Sequence, residues 1–92
     1  DMVALGGCYA LQERGIIPGR EMSIIGFDDV ADASFATPSL TTIQSQPYQL
    51  GQILAKTVME RIENPETPIY TMLTDATLVK RLTTGPVVKK SY

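Results

Sequence analysis

The residues best suited to binding a small molecule are two adjacent aspartates, Asp28 and Asp29, which follow the apolar run MSIIGF at 22–27. A carboxylate accepts hydrogen bonds at both oxygens, so it can hold two hydroxyl or amine donors at once. A short continuous apolar run is typical of a strand that is buried on both faces of a parallel sheet. Open α/β sheets bind ligands beyond the carboxyl ends of such strands, which favours a ligand role for Asp28. Capping of the following turn is the alternative, and we assign that role to Asp29, serving backbone N–H groups near residue 31.

Enzymatic chemistry finds little support in the residue types. The chain has no histidine and one cysteine, which excludes Cys/His and Ser/His catalysis and histidine zinc sites within this segment. Adjacent aspartates on an extended strand point to opposite faces, so Asp28 and Asp29 make a poor acid/base pair. Neither a Gly-rich phosphate loop nor a nucleophile elbow is present. We therefore expect no enzyme, no cofactor and no metal, and we interpret Cys8 as a small core hydrophobe.

The overall composition is that of a soluble globular chain, with 43% hydrophobic and 20% charged residues. The net charge is −2, and the basic residues cluster only at Lys80–Arg81 and Lys89–Lys90. Nucleic-acid surfaces need a larger basic patch, so this segment is not expected to touch DNA. The apolar runs are far shorter than the roughly 20 residues of a membrane span. The chain opens on Asp1 with no visible signal peptide.

The first element that must position the aspartates is a helix from about Met2 to Arg14. Asp1 is its expected N-cap, and Gly15 and Pro18 end it. Its apolar residues form two stripes, one of Val3, Ala4, Cys8 and Leu11 and the other of Met2, Leu5 and Tyr9. A helix that is apolar all round is covered on both faces. The second face therefore packs on a second subunit, or the helix lies in the centre of a larger domain, and the pattern leaves both open.

The other elements follow from short patterns. We predict a strand at 40–44 (LTTIQ), a helix at 47–63 with Pro47 at its first position, and strands at 69–73 and 77–82. A helical turn is expected at 32–35, and residues 84–92 are expected to be an extended tail.

Five stretches, in order, resemble the LacI/GalR family of bacterial transcriptional regulators. They are DMVALG, ERGIIPGREMSIIGFDD, the Pro38 and LTTI stretch, LGQILAKTVMERI and TLVKRLTT, and they extend to about Gly85. The resemblance implies a partial Rossmann-like α/β fold of the type I periplasmic-binding-protein architecture, a fragment of two subdomains. By analogy, residues 1–43 belong to the C-terminal subdomain, 44–75 to the N-terminal one, and 76–92 return to the C-terminal subdomain and the tail.

The same resemblance implies roles for single residues. Asp28 matches an aspartate that faces the effector cleft, and residues 45–47, which begin with Ser45, align with a crossover stretch where some members place an aromatic on a sugar ring, with Tyr48 beside it. This chain has Pro47 at that aromatic position, and we favour packing of Tyr48 against its own helix over stacking. Asp1 is interpreted as a structural residue. Dimer-interface positions fall on Met2, Leu5, Tyr9 and Ala36.

The implied function is that of an effector-binding, dimerising segment of a cytoplasmic regulator. The expected partners are a sugar or sugar phosphate as effector, a second copy of the protein, and operator DNA bound through an N-terminal helix-turn-helix absent from this chain. Nucleobases are effectors of some members, and no membrane partner is expected. The alternative is a type I periplasmic sugar-binding protein of a transporter, against which the TLVKRLTT ending and the LTT pattern argue.

Overall fold

The computed structural model describes residues 1–87. Its elements are α1 (Met2–Glu13), α2 (Ala31–Phe35), β1 (Thr42–Gln44), α3 (Pro47–Glu63) and β2 (Thr77–Val79). The two strands pair antiparallel, with Thr42 opposite Val79 and Gln44 opposite Thr77. The two long helices and the helical turn are confirmed, and the strands predicted at 40–44 and 77–82 are confirmed over three residues each.

The chain divides into two compact units. The first contains Asp1–Gln44 and the chain from Thr77 onward, and the second is Ser45–Ala76. The assignment of segments 1–43, 44–75 and 76–92 to two subdomains of a larger protein stays a prediction. The tail predicted at 84–92 lies mostly outside the described residues.

The core of the first unit lies beneath α1. Leu5 and Cys8 are buried there together with Ala33 and Leu40. Val3 is 90% exposed, so its predicted place beside Cys8 on the packed face is wrong. With about 3.6 residues per turn, Leu5 lies nearer to Cys8 around the helix than Val3 does. Leu5 therefore belongs to the packed face, although the sequence pattern grouped it with the outer stripe.

The C-terminus of α1 is formed by Gly15, as predicted. This glycine has a φ of 76°. Its N–H donates to the carbonyl of Gln12 at 3.0 Å, and the N–H of Ile16 donates to the carbonyl of Leu11 at 2.9 Å. These two bonds are those of a Schellman motif. The motif requires a left-handed backbone conformation after the helix, which glycine adopts without a Cβ clash.

The run at 22–27 is extended beside β1 but forms no continuous strand. The N–H groups of Gly26 and Asp28 donate to the carbonyls of Thr41 and Ile43, both at 2.9 Å. The donors and the acceptors are each two residues apart, which is the spacing of a parallel ladder. The ladder consists here of a single bridge between Ile25 and Thr41. Ile25 is 55% exposed and Phe27 51% exposed. The prediction of a strand buried on both faces is therefore wrong for this segment, because only one of its faces is covered by the described residues.

The strand predicted at 69–73 is also wrong, since those residues join no ladder within residues 1–87. An isolated extended segment leaves its N–H and C=O groups to the solvent, so the β-branched pattern alone does not make a strand. The helix α3, which precedes it, has no buried residue. Its predicted apolar stripe is present but largely exposed, with Leu54 57% and Ile62 66% exposed.

Candidate functional site

Asp28 and Asp29 adopt the left-handed region of backbone space. Their φ angles are 104° and 55°. Non-glycine residues rarely take positive φ, and aspartate and asparagine are the most tolerant of it. Such conformations cost on the order of 1–3 kcal/mol each and persist only where the surroundings enforce them. The strain thus falls on the two residues that the sequence singled out for ligand chemistry.

The side chain of Asp28 faces solvent. Within residues 1–87 its carboxylate has no hydrogen-bond or ion-pair partner, while its backbone N–H donates to Ile43 at 2.9 Å. It therefore lies beside the end of β1, at the carboxyl end of the extended run. It does not cap α2, which begins after Val30 and has no side-chain cap. The alternative role of Asp28 as a cap is not realised, and its role toward an effector stays a prediction.

Asp29 has a different environment from the one predicted. Its Oδ1 lies 2.8 Å from the Arg81 guanidinium, with both side chains largely buried. Its Oδ2 accepts a hydrogen bond from the side chain of Gln44 at 3.2 Å. The expectation that Asp29 caps the turn near residue 31 is wrong, because its carboxylate binds the guanidinium of Arg81, which follows β2, and the side-chain amide of Gln44 at the end of β1.

The backbone N–H at that turn is instead satisfied by Asp1. Asp1 occupies the N-cap position of α1 but makes no side-chain cap there, so the predicted capping bond is absent. Its Oδ2 accepts from the N–H of Val30 at 2.7 Å, and its Oδ1 accepts from the hydroxyl of Thr42 at 2.6 Å. Asp1 is therefore a structural residue, as interpreted, but its carboxylate binds groups far along the chain and not the N–H groups of its own helix.

Thr42 links this network to the strained pair. Its side chain is fully buried, and its hydroxyl, besides donating to Asp1, accepts a bond of 3.3 Å from the N–H of Asp29. The Thr41–Thr42 pair, which belongs to one of the stretches that resemble the family, thus has a physical role. Its hydroxyl groups satisfy polar atoms from distant parts of the first unit, and the neighbouring Thr41 hydroxyl accepts from the N–H of Arg81 at 2.9 Å.

The remaining predicted effector residues belong to the second unit. Ser45 is half-buried and lines a cavity of about 220 Å³ with Gln46, Gln49, Thr74 and Asp75 among its neighbours. Tyr48 is 76% exposed, so the expected packing against its own helix is wrong. Gln46 precedes Pro47 with a φ of 54°, a third left-handed non-glycine residue.

A groove between α1 and α2 contains all four predicted interface residues. We call it the α1–α2 groove; its volume is about 450 Å³, and it is lined by Met2, Leu5, Gly6, Tyr9, Asp32, Phe35 and Ala36. Leu5 forms its floor, since it is buried, whereas Met2 and Tyr9 are 65% and 63% exposed. Phe35, which is 82% exposed beside Ala36, was not among the predicted interface residues. An aromatic residue next to a predicted interface position was the available signal.

Other chemistry receives no support from the described part of the chain. Residues 1–87 contain no group of three potential metal ligands drawn from His, Cys, Asp and Glu. Within the same residues, every helix is too short or too polar to cross a bilayer. Burial raises the pKa of the Cys8 thiol, as expected for a core position rather than a reactive one.

Comparison with known proteins gives a consistent picture. The model of the periplasmic binding protein-like domain family matches residues 1–84. The ribose operon repressor of Haemophilus influenzae is 33% identical over 81 residues, which are 88% of this chain and 24% of that protein. Several other curated relatives are named HTH-type transcriptional repressor PurR. The chain spans about a quarter of the length of these relatives.

Solved structures agree with the sequence relatives. A LacI family transcriptional regulator from Enterococcus faecalis with bound ribose is 34% identical with a TM-score of 0.83, covering 96% of this chain and 33% of that one. A Lac repressor dimer bound to operator and an anti-inducer is 34% identical with a TM-score of 0.82, covering 94% of this chain and 30% of that one. The α/β, type I periplasmic-binding-protein architecture expected from the sequence is thereby confirmed. The chain belongs to the periplasmic binding protein-like domain family and, within it, to the effector-binding cores of the LacI/GalR transcriptional regulators.

Proposed function

We propose that the chain is part of the effector-binding and dimerising core of a transcriptional regulator, and that Asp28 binds a sugar or sugar phosphate. The observation that carries this proposal is the exposed Asp28 carboxylate, held at a φ of 104° with no partner among residues 1–87. A carboxylate in this state offers both oxygens to a pair of hydroxyl donors, the pattern that a sugar presents. The bound ribose in the Enterococcus faecalis relative supports the same ligand class.

We assign Ser45 to the effector on the strength of the family resemblance, and Tyr48 as a substitute for the aromatic that some members have at the position of Pro47. Ser45 contributes a hydroxyl at the lining of its cavity in the second unit. Tyr48, being largely exposed, has a ring face available for stacking on an apolar sugar face. Both roles require that the segment meets the rest of a regulator in the way its relatives do.

Effector binding would be coupled to DNA binding by a change in subdomain arrangement. Coupling free energies of this kind are typically 1–3 kcal/mol. The crossovers near 43–47 and 74–77 would act as hinges, and operator DNA would be bound by a helix-turn-helix outside this segment, in a cytoplasmic homodimer formed through the α1–α2 groove. No enzymatic step is part of the proposal.

The experiment is a thermal-shift screen of the full-length protein with D-ribose, D-ribose 5-phosphate and adenine, run on wild type and on Asp28→Asn. Asparagine keeps the tolerance for positive φ but loses the charge, and Glu13→Gln at the exposed end of α1 is the matched control. Ligand at one hundred times its Kd stabilises by about 2.7 kcal/mol, which is readily measured. A shift with ribose or its phosphate that vanishes only in Asp28→Asn supports the proposal.

Two other outcomes would contradict it. A shift with adenine alone would overturn the sugar assignment, and a sugar shift that survives Asp28→Asn would remove Asp28 from the site. The periplasmic alternative is tested separately by a gel mobility assay of the same protein with DNA from its own promoter region. Sugar binding without any DNA binding would favour the transporter component.

A further inference from the structure

The proposed function does not use the ion pair between Asp29 and Arg81. It joins the residue after Asp28 to the chain that follows β2, at a distance of 2.8 Å between Oδ1 and the guanidinium. The side chains are only 13% and 19% exposed, for Asp29 and Arg81 respectively. An ion pair shielded to this degree is less weakened by solvent than a surface pair, so it can enforce a local conformation.

Arg81 also bonds to the two residues that precede β1. Its second guanidinium nitrogen donates to the carbonyl of Leu40 at 3.0 Å, and its backbone N–H donates to the hydroxyl of Thr41 at 2.9 Å. The planar guanidinium can bond in two directions at once, which a lysine ammonium cannot do with the same geometry. Arg81 is therefore fixed by Leu40 and Thr41, and it fixes Asp29 in turn.

Asp29 is held at three points in total. Its carboxylate contacts Arg81 and Gln44, and its N–H donates to the Thr42 hydroxyl at 3.3 Å. These contacts act on a residue whose φ is 55° and which follows a residue whose φ is 104°. Two consecutive left-handed residues would relax in a free loop, so the contacts on Asp29 maintain the backbone that presents the Asp28 carboxylate.

We infer that Arg81 is a positioning residue of the effector site, which acts through the carboxylate of Asp29 to hold Asp28 in its exposed, left-handed conformation. This inference rests on the proposed function, since it concerns the same site. Arg81 is not expected to touch the effector itself. Its loss should weaken effector binding through the orientation of Asp28, beyond any effect on global stability.

The test uses the full-length protein with D-ribose as the probe and the variants Arg81→Gln, Arg81→Lys, Asp28→Asn and the double variant Arg81→Gln with Asp28→Asn. The exposed Arg14→Gln serves as the matched control for loss of an arginine. Isothermal titration gives the Kd, urea unfolding gives the stability, and hydrogen exchange of a peptide that spans 27–31 reports the loop. We expect Arg81→Gln to raise the Kd at least tenfold and to speed exchange in that peptide, with Arg81→Lys intermediate and Arg14→Gln unchanged.

The double variant separates positioning from general destabilisation. If Arg81 acts through Asp28, Arg81→Gln should leave the Kd of Asp28→Asn unaltered while still lowering its urea midpoint. A further loss of affinity as large as in the wild-type background would overturn the inference, as would unchanged exchange at 27–31 in Arg81→Gln. If wild type does not bind ribose, the proposed ligand is wrong, and hydrogen exchange alone then decides whether Arg81 orders the Asp28 loop.

Discussion

The carboxylate of Asp1 accepts a hydrogen bond of 2.6 Å from the hydroxyl of Thr42, which lies 41 positions further along the chain. The same hydroxyl accepts from the N–H of Asp29, and the other oxygen of Asp1 accepts from Val30. The start of α1, the strained pair and β1 thus meet at one buried side chain. Packing of the first unit and the conformation of the candidate site depend on the same few hydrogen bonds.

Replacing Thr42 with valine should therefore destabilise the protein more than the loss of a hydroxyl at an exposed position would. Valine matches the shape of threonine but leaves one oxygen of Asp1 and the N–H of Asp29 without a partner. An unsatisfied buried polar group costs about 1–3 kcal/mol. Urea unfolding of the full-length protein should show this loss for Thr42→Val. Thr42→Ser, which keeps the hydroxyl, should lie much closer to wild type, and equal losses in the two variants would argue against the hydrogen bonds as the cause.

Asp28→Gly should separate binding from stability. Glycine adopts a φ of 104° without a Cβ clash, which relieves strain of about 1–3 kcal/mol, while its greater freedom in the unfolded chain costs about 0.5–1 kcal/mol. We expect a urea midpoint equal to or above that of wild type, together with loss of the thermal shift caused by ribose. Asp28→Ala, which lacks the tolerance for positive φ, should be less stable than Asp28→Gly by about 1 kcal/mol. A less stable glycine variant would show that the aspartate side chain supports the fold.

The thiol of Cys8 should be nearly inert in the folded protein. Burial raises its pKa, so the neutral form predominates further into the alkaline range than in the unfolded chain. The contribution to stability is complete below the unfolded pKa and is lost as the pH rises toward the folded pKa, because the unfolded state releases its proton first. Alkylation by iodoacetamide at pH 8, followed by mass spectrometry of the peptide containing Cys8, should be at least tenfold slower in buffer than in concentrated urea. Equal rates would place the thiol at the surface.

Local signals predicted part of the fold because they act over a few residues. Pro47 at the start of α3 and Gly15 after α1 determine helix ends through their own backbone preferences, and both predictions hold. The strand at 22–27 required partners on both of its faces, so its apolar pattern alone did not determine the result. An apolar pattern shows which side chains a segment can bury, whereas the segments that pack against it determine which of them are buried.

Of the candidate site, the sequence predicted the exposed Asp28 but not the contacts of its neighbour Asp29. The position of Asp28 after an apolar run was sufficient to identify it as a candidate, but the partners of Asp29 were not, since Arg81 and Gln44 are 52 and 15 positions away. The interpretation of Asp1 as a cap of its own helix failed for the same reason. A carboxylate binds whichever donors the fold brings closest, and sequence proximity does not decide which these are.

The α1–α2 groove yields the last prediction, which concerns the oligomer. Leu5 is only 6% exposed and packs in the core, so Leu5→Asp would disturb folding as well as association. Tyr9, at 63% exposure on the rim of the groove, is the better position for a test. A charge placed there would need desolvation in a dimer but stays hydrated in a monomer, which disfavours association.

Tyr9→Asp should therefore convert a dimer into a monomer at micromolar concentration, measured by sedimentation of the full-length protein. Ala10→Asp is the matched control, because it puts the same charge on the next residue, which is exposed and is not part of the groove lining. It should leave the dimer intact, and the urea midpoint of both variants should stay near that of wild type. An undisturbed dimer in Tyr9→Asp would mean that another surface joins the subunits and that the exposed Met2, Tyr9 and Phe35 have a different partner.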